Sequence, residues 1–192
     1  MNAETVITGL GTIGPAGQGP DALAAALSAG APLATPIDRG VGYHREGGSR
    51  LAAVITQRDV SRWVPPLAAR RMSFPSRLAV AVGRMAMTDA TISHADPDRP
   101  DQKRIGVYLA TAFGSVLSTE KLLRLILVDG AEAAQPFLYS ECVANAIAAQ
   151  LAIAAGARGP NVTLSQREAG PLLAVARAAQ AVREGRVDVA LA

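Results

Sequence analysis

Apolar and polar positions along the chain alternate between a strand period and a helix period. Thr5 to Leu10 is rich in β-branched residues and runs into glycine, which predicts a strand; Pro20 to Ser28 follows as a helix, with proline near its start and Gly30 just past its end. Short apolar runs at Ile105–Ala110, Asn161–Ser165 and Val187–Leu191 predict three more strands. Longer runs at Ser76–Asp89, with Pro75 in the first turn, and at Ser115–Val128, Ser140–Ala155 and Gly170–Glu184 predict helices. Between them, Ala31 to Arg71 is broken by prolines, glycines and arginines and carries one plausible strand at Leu51–Thr56. It reads as an irregular excursion, and "HADPDRPDQK" (94–103) as a polar loop.

Strands that alternate with helices, and are themselves almost continuously apolar, indicate an α/β fold: a mostly parallel sheet with helices on both faces. Two helices carry a further message. In "GPLLAVARAAQAV" (170–182) and "CVANAIAAQLAIAA" (142–155) apolar residues point in nearly every direction around the axis. Such helices are expected to be buried on more than one side, so the sequence reads like half of a larger object.

Composition narrows the class. The 192 residues are 49% hydrophobic but only 4% aromatic, so the core is built from Ala, Val, Leu and Ile. A net charge of +3 is mild, and the basic residues are scattered, without the clustered face and interleaved aromatics of a nucleic-acid binder. A mildly positive surface suits an acidic protein partner. One cysteine, Cys142, excludes an intramolecular disulfide and suggests a reducing compartment. The N-terminus lacks the pattern of a signal peptide, and the longest apolar run, near Cys142–Gly156, is interrupted by Asn145 and Gln150. A cytoplasmic protein with no membrane span is the expectation.

Candidate chemistry is sparse. "GLGTIG" (Gly9–Gly14) matches the dinucleotide fingerprint in form, but Pro15–Gly17 delay the helix and no acidic residue ends a second strand. A dinucleotide-binding domain stays a minor alternative on Gly9, Gly11 and Gly14. Cys142, near a predicted helix start, is either a thiol of depressed pKa or, the favoured reading, a buried structural thiol. His44 and His94 lie in loop-like segments without partners at metal-ligand spacing, so no metal and no cofactor are expected. "ATAFGS" (110–115) either lines a pocket around Phe113 or simply makes a tight turn.

The ordered set of motifs resembles the N-terminal half of a β-ketoacyl-acyl carrier protein synthase, of the thiolase fold. "VITGLGTIGPAG" is similar to the family's opening strand and T-G-x-G turn, and "RIGVYLATAFGS" to its strand and G-T-G-x-G-like loop. "VANAIAAQLAIAAGARGPNVTLS" resembles the V-x-N helix leading through G-L-R-G-P to the strand before the nucleophile, and "AAQAVREGRVDVALA" the helix and strand that follow. The match is collinear over one domain, 1–192, and weakest from Ala31 to Arg71.

The resemblance implies a missing nucleophile. Where active members read T-A-C-x-S, an ungapped alignment places Glu168 at the cysteine position, between Gln166, Arg167 and Ala169. A carboxylate is electrostatically at home at a helix start but is a poor acceptor for acyl transfer. The family's two histidines and lysine belong to a C-terminal half that the 192 residues do not contain. Cysteine-free relatives, the chain-length factors of type II polyketide synthases, pair with an active ketosynthase and help shape its acyl tunnel. The resemblance therefore implies an inactive subunit of fatty acid or polyketide-type biosynthesis, with an active ketosynthase as partner and acyl carrier protein as transient partner. Asn145, Ala146, Ile147, Phe113, Gln166 and Arg167 are then the interface or tunnel candidates. The alternative is an acyltransferase with a rearranged site, or one whose missing half a second polypeptide supplies. For Glu168 an ion pair with Arg167, a helix cap and a place facing the partner's tunnel all stay open.

Overall fold

A computed structural model of the chain describes residues 4–38, 46–92 and 100–192; His44 and His94 lie outside these. The chain enters without regular secondary structure, makes a small antiparallel ladder of β1 (Ile13–Gly14) and β2 (Gly17–Gln18), then forms α1 (Pro20–Ala29). Gly30 ends α1 in the left-handed conformation, φ 62°, as its position past the last apolar residue predicts. The excursion holds only a second short ladder, β3 (Thr35–Pro36) with β4 (Leu51–Ala52), and the four-residue helix α2 (Pro66–Ala69). The strand expected over Leu51–Thr56 is cut to two residues.

The expected strand at Thr5–Leu10 is not formed. Its backbone lies apart from every sheet, with Val6 and Ile7 exposed, and is tied down by Thr5 Oγ1 donating to Ala179 O and Leu10 N–H donating to Asp89 Oδ2. A strand needs a neighbour's edge to bond to, and across this segment lies an open groove of about 410 Å³.

The long helix α3 (Phe74–Asp89) starts where Ser73 caps it, Oγ accepting from the Ser76 N–H, with Pro75 in the first turn. The chain continues through β5 (Ile105–Ala110), α4 (Val116–Asp129), α5 (Pro136–Ser140), α6 (Ala146–Ala155), β6 (Asn161–Leu164), α7 (Gly170–Arg183) and β7 (Val189–Leu191). The three long strands form one parallel sheet in the order β6-β5-β7, with Val107 beside Asn161 on one side and beside Leu191 on the other. Central β5 is the most buried strand, which is why its apolar run is unbroken.

Helices cover both faces of the sheet, as expected. On one face Ala148, Leu151 and Ala152 of α6 pack on Val107 and Leu109. Behind α6 stands α3, whose Gly83 leaves the space that the Leu151 side chain fills. On the other face the i, i+4, i+7 stripe Ala174, Ala178, Ala181 of α7 packs on Tyr108 and Val187. Small residues in these stripes let helix and sheet backbones approach closely. A third cluster, Val60, Val64, Val80 and Ala81, joins the end of the excursion to α3.

The two all-round apolar helices behave differently. Sheet and α3 sandwich α6, on which Ile153 is exposed. On α7 only the alanine stripe is covered; Leu172, Leu173 and Val175 face outward. One expected helix is also split: instead of a single span over Ser140–Ala155, α5 ends at Ser140, and a turn at 141–145 precedes α6. At that break the Glu141 side chain is turned into the interior, 4% exposed.

Candidate functional site

Because α6 leads into β6 and α7 leads out of it, both helices run antiparallel to the strands, and their N-termini lie at the carboxyl end of the sheet. This is where ligands bind in open parallel sheets. Three connections meet here: the loop Thr111–Ser115 after β5, the corner Ser165–Ala169 after β6, and the turn 141–145 before α6.

The loop after β5 is tied to β6 by Thr111 N–H donating to Leu164 O at 2.9 Å, and bracketed by Gly114 N–H donating to Thr111 Oγ1 at 2.9 Å. Gly114 takes φ 62°, and Phe113 is left 75% exposed. At the corner, Arg167 adopts φ 45°, a left-handed conformation costing a non-glycine residue about 1–2 kcal/mol. Its guanidinium lies over the Phe113 ring, 5.9 Å from the centroid, a contact worth about 0.5–1 kcal/mol at an exposed site. The structure thus brings Phe113 and Arg167 together across two connections. Gly170 permits this closeness, since a Cβ there would stand 3.1 Å from Ala110 Cβ.

Glu168 sits in the single 3₁₀ turn Arg167–Ala169 that opens α7, exposed to solvent. Of the readings left open for Glu168, the ion pair with Arg167 and the helix cap are not formed. Gln166 is exposed beside it. Of the candidates near α6, Asn145 is exposed at the N-cap, whereas Ala146 and Ile147 are buried at 5% and 4% exposure.

Cys142 is not at the corner. It lies half-buried in the turn before α6, its Sγ donating to Leu138 O at 3.2 Å. Next to it is a feature that sequence reasoning missed. The Glu141 carboxylate accepts from Ser73 N–H at 2.8 Å, from Ser76 Oγ at 2.7 Å and from Gln150 Nε2 at 2.8 Å. Ser73 Oγ in turn shares a 2.9 Å hydrogen bond with Ser115 Oγ at the start of α4. Burial pushes the Glu141 carboxyl up, but the donors Ser73, Ser76 and Gln150 outweigh it and hold the group below its ordinary pKa. No arginine or lysine among the described residues forms an ion pair with it. The only trace in the sequence is Gln150, a polar residue inside an apolar helix.

Gly9 and Gly11 have a packing role. A Cβ on Gly9 would run into Ala86 O and stand 2.7 Å from Ala90 N, and one on Gly11 would run into Val82 O, all backbone atoms of α3 or its C-cap. Gly14 has open space around it. The segment crosses α3 and opens no helix, so the context of a dinucleotide loop is missing. No three His, Cys, Asp or Glu side chains among the described residues group as metal ligands. No helix among them is long and apolar enough to cross a membrane.

Apolar side chains remain uncovered on several elements. Val116, Leu117, Leu127 and Val128 of α4, Phe137 and Tyr139 of α5, and Leu172 of α7 are all more than half exposed. Among the described residues neither edge strand of the sheet has a further partner. Val107 N–H donates to Pro160 O and Thr111 N–H to Leu164 O, so alternation leaves the N–H groups of Asn161 and Thr163 on the free edge of β6.

Known proteins match this arrangement along its full length. The family model "Beta-ketoacyl synthase, N-terminal domain" matches residues 2–192. The chain is 32% identical over 199 residues to the granaticin polyketide putative beta-ketoacyl synthase 1 of Streptomyces violaceoruber, covering 100% of this chain and 46% of the relative. It is 29% identical to the tetracenomycin polyketide synthase ketoacyl synthase alpha subunit of Streptomyces glaucescens, covering 97% and 44%. Among solved structures, the ishigamide ketosynthase/chain length factor superposes with a TM-score of 0.82 at 26% identity, over 96% of this chain and 45% of that one. A further structure, in which a type II polyketide synthase acyl-carrier protein is bound to its ketosynthase, shares the fold with a TM-score of 0.77 at 20% identity, over 97% and 49%. The chain spans about half the length of the curated relatives it matches. With the strand order, the corner after β6 and this full-length match in agreement, the chain belongs to the β-ketoacyl synthase family, within its N-terminal domain.

Proposed function

We propose that this chain is a ketosynthase-like subunit without nucleophile chemistry of its own, which pairs with an active ketosynthase in polyketide-type biosynthesis as chain-length factors do. One observation carries the reading. The corner between β6 and α7, aligned with the family's nucleophile, presents Gln166, Arg167 and outward-facing Glu168, while the chain's one thiol lies elsewhere and is bonded to Leu138 O. Compared with a thiolate, a carboxylate is a poor acceptor of an acyl group from a thioester.

The partner would cover the apolar surface of α4 and α5 and bond to the free edge of β6. Phe113 and Arg167 then sit at the mouth of the acyl tunnel, with Asn145 directed to the partner's pocket. Acyl carrier protein meets the assembly transiently, in the cytoplasm. Similarity to the ishigamide ketosynthase/chain length factor and to Streptomyces polyketide ketosynthases supports the polyketide-type reading.

Co-expression with the ketosynthase encoded nearest to this chain, followed by native mass spectrometry, tests it. A defined complex retained on dilution is expected. A chain that instead takes up an acyl group from a carrier-protein thioester, and loses this on Glu168→Ala or Cys142→Ala, is a rearranged acyltransferase.

A further inference from the structure

Glu141 has no place in the function just described, yet it is the one buried carboxylate among the described residues. A charge taken out of water is costly unless it is bonded throughout, and here three donors from two helices converge on it. The donors tie Glu141 to the start of α3 and to α6. Ser73 and Ser76 are the cap and first turn of α3, and Gln150 stands on α6. Ser115, bonded to Ser73 Oγ, starts α4 and closes the loop that holds Phe113. Glu141 itself opens the turn that runs through Cys142 to Asn145. The N-termini of α3 and α4 both carry positive dipole ends, which favour an anion between them.

We propose that Glu141 is a positioning residue: its carboxylate fixes the 141–145 turn and, through Ser73 and Ser115, the Phe113 loop, so that both flanks of the corner after β6 are held by one internal anion. It touches no reacting group. Its consequence for an acyl tunnel rests on the proposed pairing with a ketosynthase, but the positioning itself belongs to this chain and is tested without a partner. The split between α5 and α6 follows from the same demand, because it turns Glu141 inward.

Cys142, adjacent to Glu141 and the sole cysteine of the chain, reports on the turn. The full chain, in whatever assembly it purifies, is pulsed with N-ethylmaleimide at pH 7, and the Cys142 peptide is quantified by mass spectrometry. Glu141→Ala is expected to raise the labelling rate at least about ten-fold, the order of a lost charge-assisted hydrogen bond. Ser115→Ala, which cuts only the link to α4, is expected to raise it about two- to three-fold, on the scale of one weak neutral hydrogen bond. Val187→Ala, in the core under α7 on the other face of the sheet, lowers global stability but leaves native-state labelling unchanged. A merely structural Glu141 would make its variants resemble Val187→Ala. If Glu141→Ala does not fold, Glu141→Gln replaces it, with an intermediate rate expected because the amide keeps one acceptor. Labelling within two-fold of the unsubstituted chain in Glu141→Ala, or in Glu141→Gln where that stands in, overturns the proposal. A chain that meets these rates but binds no ketosynthase overturns only the pairing.

Discussion

Replacing the glycines of Gly9–Gly14 one at a time separates a packing role from a ligand-binding one. A methyl group at Gly11 meets Val82 O, Met85 Cβ at 2.9 Å and Ala86 N at 3.0 Å; two of these are backbone atoms of a helix that α6 pins from behind. The helix cannot yield as a flexible side chain would, so the cost lies toward the upper part of the range for overpacking, about 1–3 kcal/mol. A methyl group at Gly14 meets nothing within 4 Å, and the position does not have positive φ, so its cost stays within about 0.5 kcal/mol. For a chain of this size each kcal/mol moves the thermal midpoint by about 2–4 °C. Gly11→Ala is therefore expected to melt about 4–12 °C lower, and Gly14→Ala within about 2 °C of the original. Differential scanning fluorimetry with an urea titration on the same samples measures both. Equal losses at the two positions, or an unperturbed Gly11→Ala, would refute the close crossing of α3 and return the glycines to a loop role.

Further expectations follow from the site. At Arg167, glycine removes the left-handed strain while losing the ring contact, so Arg167→Gly is expected to be at least as stable as the parent, whereas Arg167→Ala keeps the strain and loses about 0.5–1 kcal/mol; urea midpoints decide, and the reverse order counts against the stacked corner. Leu117→Glu together with Leu127→Glu, at positions 69% and 82% exposed, should leave the thermal midpoint unchanged yet abolish ketosynthase association in native mass spectrometry. Stability gained from Glu141 has a definite sign with pH. Its folded pKa is depressed, so the gain is present above the unfolded value near about 4.3 and fades as pH falls through the folded one. Urea midpoints of Glu141→Gln should accordingly fall less steeply than the parent's below about pH 5, and parallel curves contradict the depressed value.

Much of the fold was legible because it depends on local period and punctuation. Strand β5 and helices α1, α3, α4 and α7 lie within a few residues of the expected spans, since apolar spacing, Pro75 and Gly30 act over one or two turns. Thr5–Leu10 failed because a strand is a relation between two segments, and its sequence names no partner. The helix over Ser140–Ala155 failed for a similar reason: its residues favour a helix throughout, and only the long-range bonds from Ser73 and Ser76 to Glu141 reveal what the break accommodates. At the site, the ordered motifs pointed to the strand-to-helix corner that the fold forms after β6. Its geometry was hidden, because the Phe113–Arg167 contact joins residues more than fifty positions apart.

By itself the sequence determined the α/β class, the family and the absence of a thiol at the corner after β6, all of which are written in residue identity and spacing. Tertiary structure alone decided that Glu168 faces outward, that Arg167 lies over Phe113, that α6 is enclosed while α7 keeps an open apolar face, and that Glu141 is buried. These depend on which distant surfaces meet, and burial turns a carboxylate that would be unremarkable in water into one that must find every one of its hydrogen bonds.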